Sequence, residues 1–212
     1  MKKALVIAAL LPSISYGSDI APGPYGFISM GQSDASINGG LIDGALRQNF
    51  DPGSYLSNVG SPASTYSAAL GYQVTSRFGV EAQYIKPSSI GYNATAKTGG
   101  TLVSGSVSES SHITSLDAVG NIPIPILEGL YAEAKLGIAQ VKGTSSLSGS
   151  GLGLSALGSF SGSRTGLTGG VGVRYDFTDT VFARFDIDTY KTPDQSYVGS
   201  FNIWQLDIGL KF

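Results

Sequence analysis

The sequence contains no cysteine, few charges and no apolar run long enough to cross a membrane as a helix. With 13% charged residues among 212 and no cysteine, it fits neither a disulfide-stapled secreted scaffold nor a highly charged disordered tail. The 13 basic and 15 acidic residues nearly balance, which gives no electrostatic attraction for nucleic acid. A mean hydropathy of +0.12 is too low for a bundle of membrane helices.

The chain is instead rich in glycine, with 30 residues of this type, and 42% of its residues are hydrophobic. This composition favours an all-β chain with glycine-rich turns. The placement of the hydrophobic residues therefore decides the fold class.

The N-terminus has the order of a secretory signal. Lys2 and Lys3 precede the apolar segment 4–11, which is too short to span a bilayer, and small residues follow it up to Gly17. We predict a signal peptide over residues 1–17, cleaved after Gly17, and a single exported domain over residues 18–212.

Beyond Pro24 apolar residues recur at every second position, which is the period of a β-strand. In the segment 65–75, Tyr66, Leu70 and Val74 share one face, whereas Ser67 and Gly71 share the other. Similar segments occur at 25–33, 78–84, 116–122, 130–138, 167–177, 181–187 and 204–212. The sequence therefore predicts about eight strands.

The connections between these strands differ in length. Three tight turns are predicted at 75–77, 123–128 and 178–180. Long polar loops are predicted at 34–63, 91–111 and 142–163, the last rich in Gly and Ser and expected to be mobile, and a shorter one at 191–196. All tight turns then lie at one end of the strands and all other loops at the opposite end.

The polar faces favour a membrane barrel over a soluble β-sandwich, which remains the alternative. They carry mostly small side chains, as the narrow interior of an eight-stranded barrel requires. Aromatic residues gather at both ends of the faces interpreted as apolar, as interfacial girdles do. These are Tyr25, Phe27, Tyr72, Phe78, Tyr175, Phe177 and Phe212 at the tight-turn end, and Tyr66, Tyr84, Tyr190 and Tyr197 at the other. We predict an all-β, eight-stranded antiparallel up-and-down transmembrane β-barrel.

Several charged residues fall on the predicted inward faces. Charges enclosed in a barrel need partners, so we expect a network of salt bridges across the interior. It either gates a narrow pore for small ions or forms a static polar core, and we favour the core. The predicted network comprises Glu81, Asp117, Glu133, Lys135, Arg174, Arg184, Asp186 and Asp207.

The sequence offers little catalytic chemistry. Its one histidine, His112, follows Glu109, Ser110 and Ser111, a combination reminiscent of a lipid hydrolase, but adjacent residues do not make a triad. No cluster of histidine or cysteine ligands indicates a metal site. We predict no enzymatic activity, no cofactor and no metal.

Two segments resemble a known family. The alternating Trp204, Leu206, Ile208 and Leu210 with the terminal Phe212 resemble the C-terminal assembly signal of Gram-negative outer-membrane proteins. The segment 170–186, GVGVRYDFTDTVFARFD, is similar to the hairpin of the sixth and seventh strands in OmpA-like and opacity-type eight-stranded barrels. The resemblance covers about residues 24–212. Because no residue follows Phe212, we expect the barrel without a peptidoglycan-binding domain.

The resemblance implies a protein of the Gram-negative cell outer membrane with a structural or surface-interaction role, in envelope integrity or in adhesion through its long loops. The expected partners are outer-membrane lipids, lipopolysaccharide, the barrel-assembly machinery during insertion and an extracellular or host ligand, but no nucleic acid. A narrow pore for small ions or solutes is the alternative, and a lipid A-modifying hydrolase that uses His112 is a third hypothesis.

Overall fold

The computed structural model describes residues 20–34, 56–59, 63–151, 154–191 and 201–212. The predicted signal peptide, 1–17, lies outside the described residues. Within them no helix is long and apolar enough to cross a membrane.

The described residues form strands that pair in antiparallel fashion. Their bounds are β1 (Gly23–Ser33), β2 (Leu56–Val59), β3 (Ala63–Gln73), β4 (Phe78–Pro87), β5 (Ile90–Thr98), β6 (Thr101–Pro123), β7 (Leu130–Gly151), β8 (Leu154–Asp176), β9 (Val181–Lys191) and β10 (Phe201–Lys211). Eight of them close a ring, in the order β1, β3, β4, β6, β7, β8, β9 and β10, with β10 paired to β1. The predicted eight-stranded antiparallel barrel is confirmed.

The barrel turns its apolar faces outward. Leu70, Leu136 and Ile208 are 72%, 70% and 61% exposed, whereas Asp186 and Asp207 on inward faces are fully buried. The outward row of β10 from Trp204 to Phe212 extends about 27 Å along the strand, or roughly 20 Å along a membrane normal at a tilt of about 40°. This height suits the apolar band of a membrane barrel.

The three tight turns lie where they were predicted, at one end of the barrel, which we call the short-turn end. In the β3–β4 turn the Oγ1 atom of Thr75 accepts hydrogen bonds from the backbone N–H groups of Arg77 and Phe78, at 3.3 and 3.1 Å. Thr178 caps the β8–β9 turn in the same way, with Thr180 and Val181 as donors. Gly129 ends the β6–β7 turn at a φ of 80°, a conformation that favours glycine.

Two of the predicted loops are strands instead. Residues 91–111 belong to β5 and β6 apart from the turn at Gly99 and Gly100, and 142–163 belong largely to β7 and β8. Strands β6, β7 and β8 thus continue beyond the predicted strand ends. The Ser- and Gly-rich sequence conceals this, because strand pairing uses backbone hydrogen bonds and needs no apolar side chain. Of the predicted loop 34–63 the structure describes residues 34, 56–59 and 63, of which Leu56–Val59 forms β2 and pairs with β5. Most of 191–196 lies outside the described residues.

Candidate functional site

The barrel interior contains a cluster of buried charged side chains at mid-height. The inward faces of β4, β6, β7, β8, β9 and β10 supply them, because every second residue of a strand points to the same side. Among the described residues, six acids and three bases of this interior are less than 9% exposed. They are Glu81, Asp117, Glu133, Asp186, Asp188 and Asp207, with Lys135, Arg174 and Arg184.

Arg184 lies at the centre of the cluster and contacts four carboxylates. Its Nη1 atom donates to Glu81 Oε1 at 2.6 Å and to Glu133 Oε2 at 3.3 Å. Its Nε atom lies 2.7 Å from both Asp186 Oδ2 and Asp207 Oδ2. The guanidinium also stacks 4.2 Å from the ring centre of Phe27. One side chain thus joins strands β4, β7, β9 and β10.

Lys135 forms the second centre, on the side of the cluster away from the short turns. Its ammonium group is paired with Asp186 and lies 3.7 Å from Asp188 and 3.9 Å from Glu81. The amide of Gln205 donates to Asp188 at 2.8 Å.

Arg174 lies nearest the short-turn end. Its Nε atom donates to Asp176 at 2.7 Å, and Lys211 binds the other oxygen of Asp176 at 2.9 Å. Its Nη1 atom lies 3.9 Å from Glu133, and its guanidinium stacks 4.0 Å from the ring centre of Phe182.

The structure therefore brings seven of the eight predicted network residues into mutual ion pairs. The eighth, Asp117, points into the interior but accepts its hydrogen bond from Ser115, at 2.7 Å, and forms no ion pair among the described residues. Tyr25 is a member that the sequence analysis missed, since its hydroxyl donates to Glu81 at 2.8 Å.

The predicted aromatic girdles are wrong at three positions. Tyr25, Phe27 and Tyr190 point into the barrel and are 2%, 4% and 1% exposed. Glycines on neighbouring strands make room for rings in the interior. A β-carbon at Gly71 would overlap the ring of Tyr25. The signal in the sequence is therefore a glycine opposite the aromatic residue, which alternation alone does not reveal.

Two groups of apolar side chains pack in the interior together with the charged ones. The short-turn group comprises Tyr25, Phe27, Ala69 and Phe182, whose rings pack edge to face at 6.0 and 6.4 Å. It lies on β1, β3 and β9 and interleaves with the charges, since Arg174 stacks on Phe182 and Arg184 on Phe27. The opposite group forms an apolar layer beyond the charges and comprises Ile85, Ile113, Ala139, Tyr190, Phe201 and Ile203, with Tyr190 stacked on Phe201 at 5.3 Å.

The residues of the predicted assembly signal lie on the outward face of β10, at the seam where β10 pairs with β1. The backbone N–H of Phe212 donates to the carbonyl of Pro24 at 2.9 Å. Trp204, Leu206, Ile208, Leu210 and Phe212 are between 46% and 75% exposed.

His112 lies on the outward face of β6, opposite Lys142 on β7, and its ring centre is 5.9 Å from that of Tyr84. No hydrogen bond among the described side chains joins it to a serine or a carboxylate, so the arrangement of a hydrolase triad is not found there. In the part of the chain that the structure describes, no three His, Cys, Asp or Glu side chains are grouped to hold a metal ion.

Comparison with known proteins identifies the family. The model of the outer membrane protein β-barrel domain matches residues 21–212. The N-terminal β-barrel domain of Pseudomonas aeruginosa OprF is 14% identical, with a TM-score of 0.50, 91% of this chain and 100% of that chain covered. Neisserial surface protein A is 13% identical, with a TM-score of 0.50 and 90% and 97% covered.

The outer membrane protein OprG of Pseudomonas aeruginosa is 12% identical, with a TM-score of 0.50 and 90% and 96% covered. No curated protein sequence matches the chain. At these low identities the solved structures support the fold, and the family match carries the assignment. The chain belongs to the outer membrane protein β-barrel family.

Proposed function

We propose that this chain is a non-enzymatic protein of the Gram-negative outer membrane with a structural or surface-interaction role, exported by the signal peptide 1–17. In this proposal the barrel is a rigid anchor, and the extended strands beyond the membrane form the working surface. The main support is the filled interior, in which buried ion pairs pack among apolar rings and an apolar layer lies beyond them on the side away from the short turns.

The charge cluster itself acts as a register lock in this proposal. Arg184 and Lys135 together pair with carboxylates on four strands, β4, β7, β9 and β10, so a strand shifted by one residue would leave buried charges unpaired. The alternative, a narrow pore gated by the same charges, requires the apolar layer beyond them to open as well.

The assembly signal and the orientation belong to the same proposal. The short-turn end faces the periplasm, and the barrel-assembly machinery recognises the outward row of β10 that ends at Phe212. The β5–β6 and β7–β8 hairpins then lie on the cell surface, where an extracellular ligand meets them.

Single-cysteine labelling tests this placement, because the chain has no cysteine of its own. We expect Ser148→Cys, on the extended part of β7, to react with a membrane-impermeant maleimide on intact cells. The matched variant Asp179→Cys, in the exposed β8–β9 turn, should react only after the outer membrane is permeabilised. Sequencing of the labelled protein should begin at Ser18, and Phe212→Ala should reduce the amount of labelled barrel.

The reverse labelling pattern, with Asp179→Cys accessible on intact cells and Ser148→Cys protected, would contradict the proposed orientation and surface role. Equal labelling of both variants on cells shown to be intact would contradict outer-membrane insertion.

A further inference from the structure

The long strands form a five-stranded sheet beyond the membrane, which we call the outer sheet. Its strands pair in the order β2, β5, β6, β7 and β8. β7 and β8 stay paired as far as Gly151 and Leu154, whereas β9 pairs with β8 only over residues 167–176 of β8. Within the described ranges, no strand pairs with the side of β8 that faces away from β7 over residues 154–163. We call this side of residues 154–163 the β8 edge.

The β8 edge lacks the features that normally protect an exposed edge strand. Natural proteins keep such strands short, or give them proline or charged side chains. The β8 edge is about ten residues long, and its sequence, LSALGSFSGS, contains neither proline nor a charged residue. At the opposite side of the outer sheet, β2 has only four residues. The β8 edge is therefore the longer template for one additional strand.

The direction of that strand follows from which edge is open. A parallel pair joins opposite edges of two strands, and the other edge of β8 is occupied by β7. Two copies of β8 can therefore pair through this edge only in antiparallel fashion, which is the pattern of every strand pair that the structure describes. All copies in one membrane point the same way, so an antiparallel partner comes from an opposing membrane.

We propose that the β8 edge binds the β8 edge of a second copy in an opposing membrane, and this inference rests on the proposed surface location of the β7–β8 hairpin. The protein thereby joins two outer membranes by strand addition. Every second residue of a strand directs its N–H and C=O groups to the same edge, so the two copies share about ten main-chain hydrogen bonds.

The sequence of the β8 edge is complementary to itself when it is centred on Ser159. A twofold axis through a residue keeps residues of the same face opposite each other. In this register the pairs between the two copies are Ser159 with Ser159, Leu157 with Ser161, Ser155 with Ser163, Phe160 with Gly158, and Ala156 with Gly162. Each larger residue is opposite a smaller one, and no charged residue is opposite another.

Pairs of serines across two strands already occur in the outer sheet. Ser104 bonds Ser150 at 3.0 Å, and Ser106 bonds Ser148 at 2.6 Å, both between β6 and β7. Ser159 is exposed on the same face as these pairs, because it is opposite Ser146 in the register of β7 and β8. The proposed contact repeats this arrangement between two copies.

The height of the β8 edge suits a contact between two membranes. Leu167 ends the outward apolar row of β8 at the membrane, and Ser159 lies eight residues beyond it. That is about 27 Å along the strand, or roughly 21 Å along the membrane normal at a tilt of about 40°. Two copies joined at Ser159 then hold the apolar cores about 42 Å apart, which leaves room for two headgroup layers of about 5–8 Å each.

One such contact is small, and many act together. A single strand from each copy buries less than the roughly 1,200–2,000 Å² of a stable protein complex. Opposed membranes carry many copies, so the contacts between them are multivalent. The interaction should therefore be strong between membranes and weak between dilute single barrels.

The first test is the clustering of vesicles, followed by light scattering. The chain is refolded into preformed phosphatidylcholine vesicles, so that the short turns cross the bilayer and the long polar hairpins stay outside. Ser159→Lys places two like charges opposite each other at the centre of the register, and Ser159→Glu supplies the opposite charge. Ser146→Lys is the matched control, since it adds the same charge to the same exposed face on the neighbouring β7.

We expect vesicles with wild-type protein or Ser146→Lys to cluster. Vesicles with Ser159→Lys alone or Ser159→Glu alone should stay dispersed, because a loss of roughly fivefold per contact multiplies over the contacts between two vesicles. A mixture of the two should cluster again. Dispersed wild-type vesicles, or an equal effect of Ser159→Lys and Ser146→Lys, would overturn the proposal.

Disulfide formation tests the register, because the chain has no cysteine of its own. Vesicles carrying Ser155→Cys are mixed with separate vesicles carrying Ser163→Cys under mild oxidation. The mixture should give linked dimers, since opposite residues of an antiparallel pair have Cα atoms about 4.5–5.5 Å apart. Neither population alone should do so, nor should a mixture in which Ser148→Cys on β7 replaces Ser163→Cys. Equal dimer formation with Ser148→Cys would contradict pairing through the β8 edge.

Failure here is separable from failure of the proposed function. Vesicle clustering does not depend on where the barrel lies in the cell. Labelling of Ser148→Cys and Asp179→Cys on intact cells tests that location and does not depend on contact between two membranes.

Discussion

Replacing Arg184 with alanine is expected to destabilise the folded barrel by about 3–5 kcal/mol, the usual cost of removing one partner from a buried ion pair. Arg184 contacts four carboxylates and is 1% exposed, so no solvent replaces its charge. The buried interior already has six acids against three bases among the described residues, and losing one base increases this surplus.

Urea unfolding of the refolded chain in lipid vesicles measures this effect, with the fluorescence of Trp204, the sole tryptophan, as the probe. Arg77→Ala removes the same side chain from the partly exposed β3–β4 turn and should change the free energy of unfolding by less than about 0.5 kcal/mol. Asp188→Asn removes one of the surplus negative charges, and the new amide oxygen can still accept the hydrogen bond from Gln205. This variant should therefore lower the free energy of unfolding far less than Arg184→Ala does. Equal stability of wild type and Arg184→Ala would contradict a locking role for the cluster.

Gly137→Val is expected to prevent closure of the barrel between β6 and β7, or to cost about 3 kcal/mol or more if the chain still folds. Gly137 is opposite Asp117, and a β-carbon there would overlap the carbonyl oxygen of Leu116 and the carboxylate of Asp117. The carbonyl belongs to the backbone, so no rotamer change relieves the overlap. The two additional methyl groups of valine increase it.

Gly162→Val is the matched control, since a β-carbon at Gly162 on β8 meets nothing within 4 Å. Refolding yield is measured by the heat-dependent shift in electrophoretic mobility that folded barrels show. Gly137→Val should remain at the unfolded position, whereas Gly162→Val should shift like wild type. Normal folding of Gly137→Val would show that the interior is looser than the contacts of Gly137 indicate.

Alternation was sufficient to predict the barrel because a strand with one apolar face shows its period in the sequence. In residues 65–75 and 204–212 the alternation of apolar and polar residues is unbroken. Which side chains point outward could therefore be predicted from the sequence. The inward charges followed from the same phase. The partners of each charge did not follow, because strand tilt and shear decide which residues share a level.

The first strand shows where the period fails. In β1 aromatic residues occupy inward positions, Tyr25 and Phe27, while Ile28 and Met30 face outward, so both faces are hydrophobic at its start. Residues distant in the sequence decide which face of β1 points inward. Gly71, for example, leaves space inside the barrel for the ring of Tyr25. A glycine opposite an aromatic residue is visible only once the register is known.

The strand extensions were predicted as loops for a different reason. Residues 142–163 contain Ser, Gly and Thr in abundance, a composition typical of loops, and their pairing is through the backbone and hydroxyl contacts such as that of Ser106 with Ser148. A sequence criterion based on apolar residues detects strands only inside the membrane.

The central claim is that the barrel is filled, and planar-bilayer recording on the refolded wild-type chain tests it most directly. With buried ion pairs packed among apolar rings and an apolar layer beyond them, inserted barrels should carry no discrete current steps in concentrated potassium chloride. The heat-dependent shift in electrophoretic mobility confirms that the barrel is folded in the same preparation. Reproducible single-channel openings of the wild type, altered in size by Arg184→Ala, would contradict a filled barrel and establish the charge cluster as a gate.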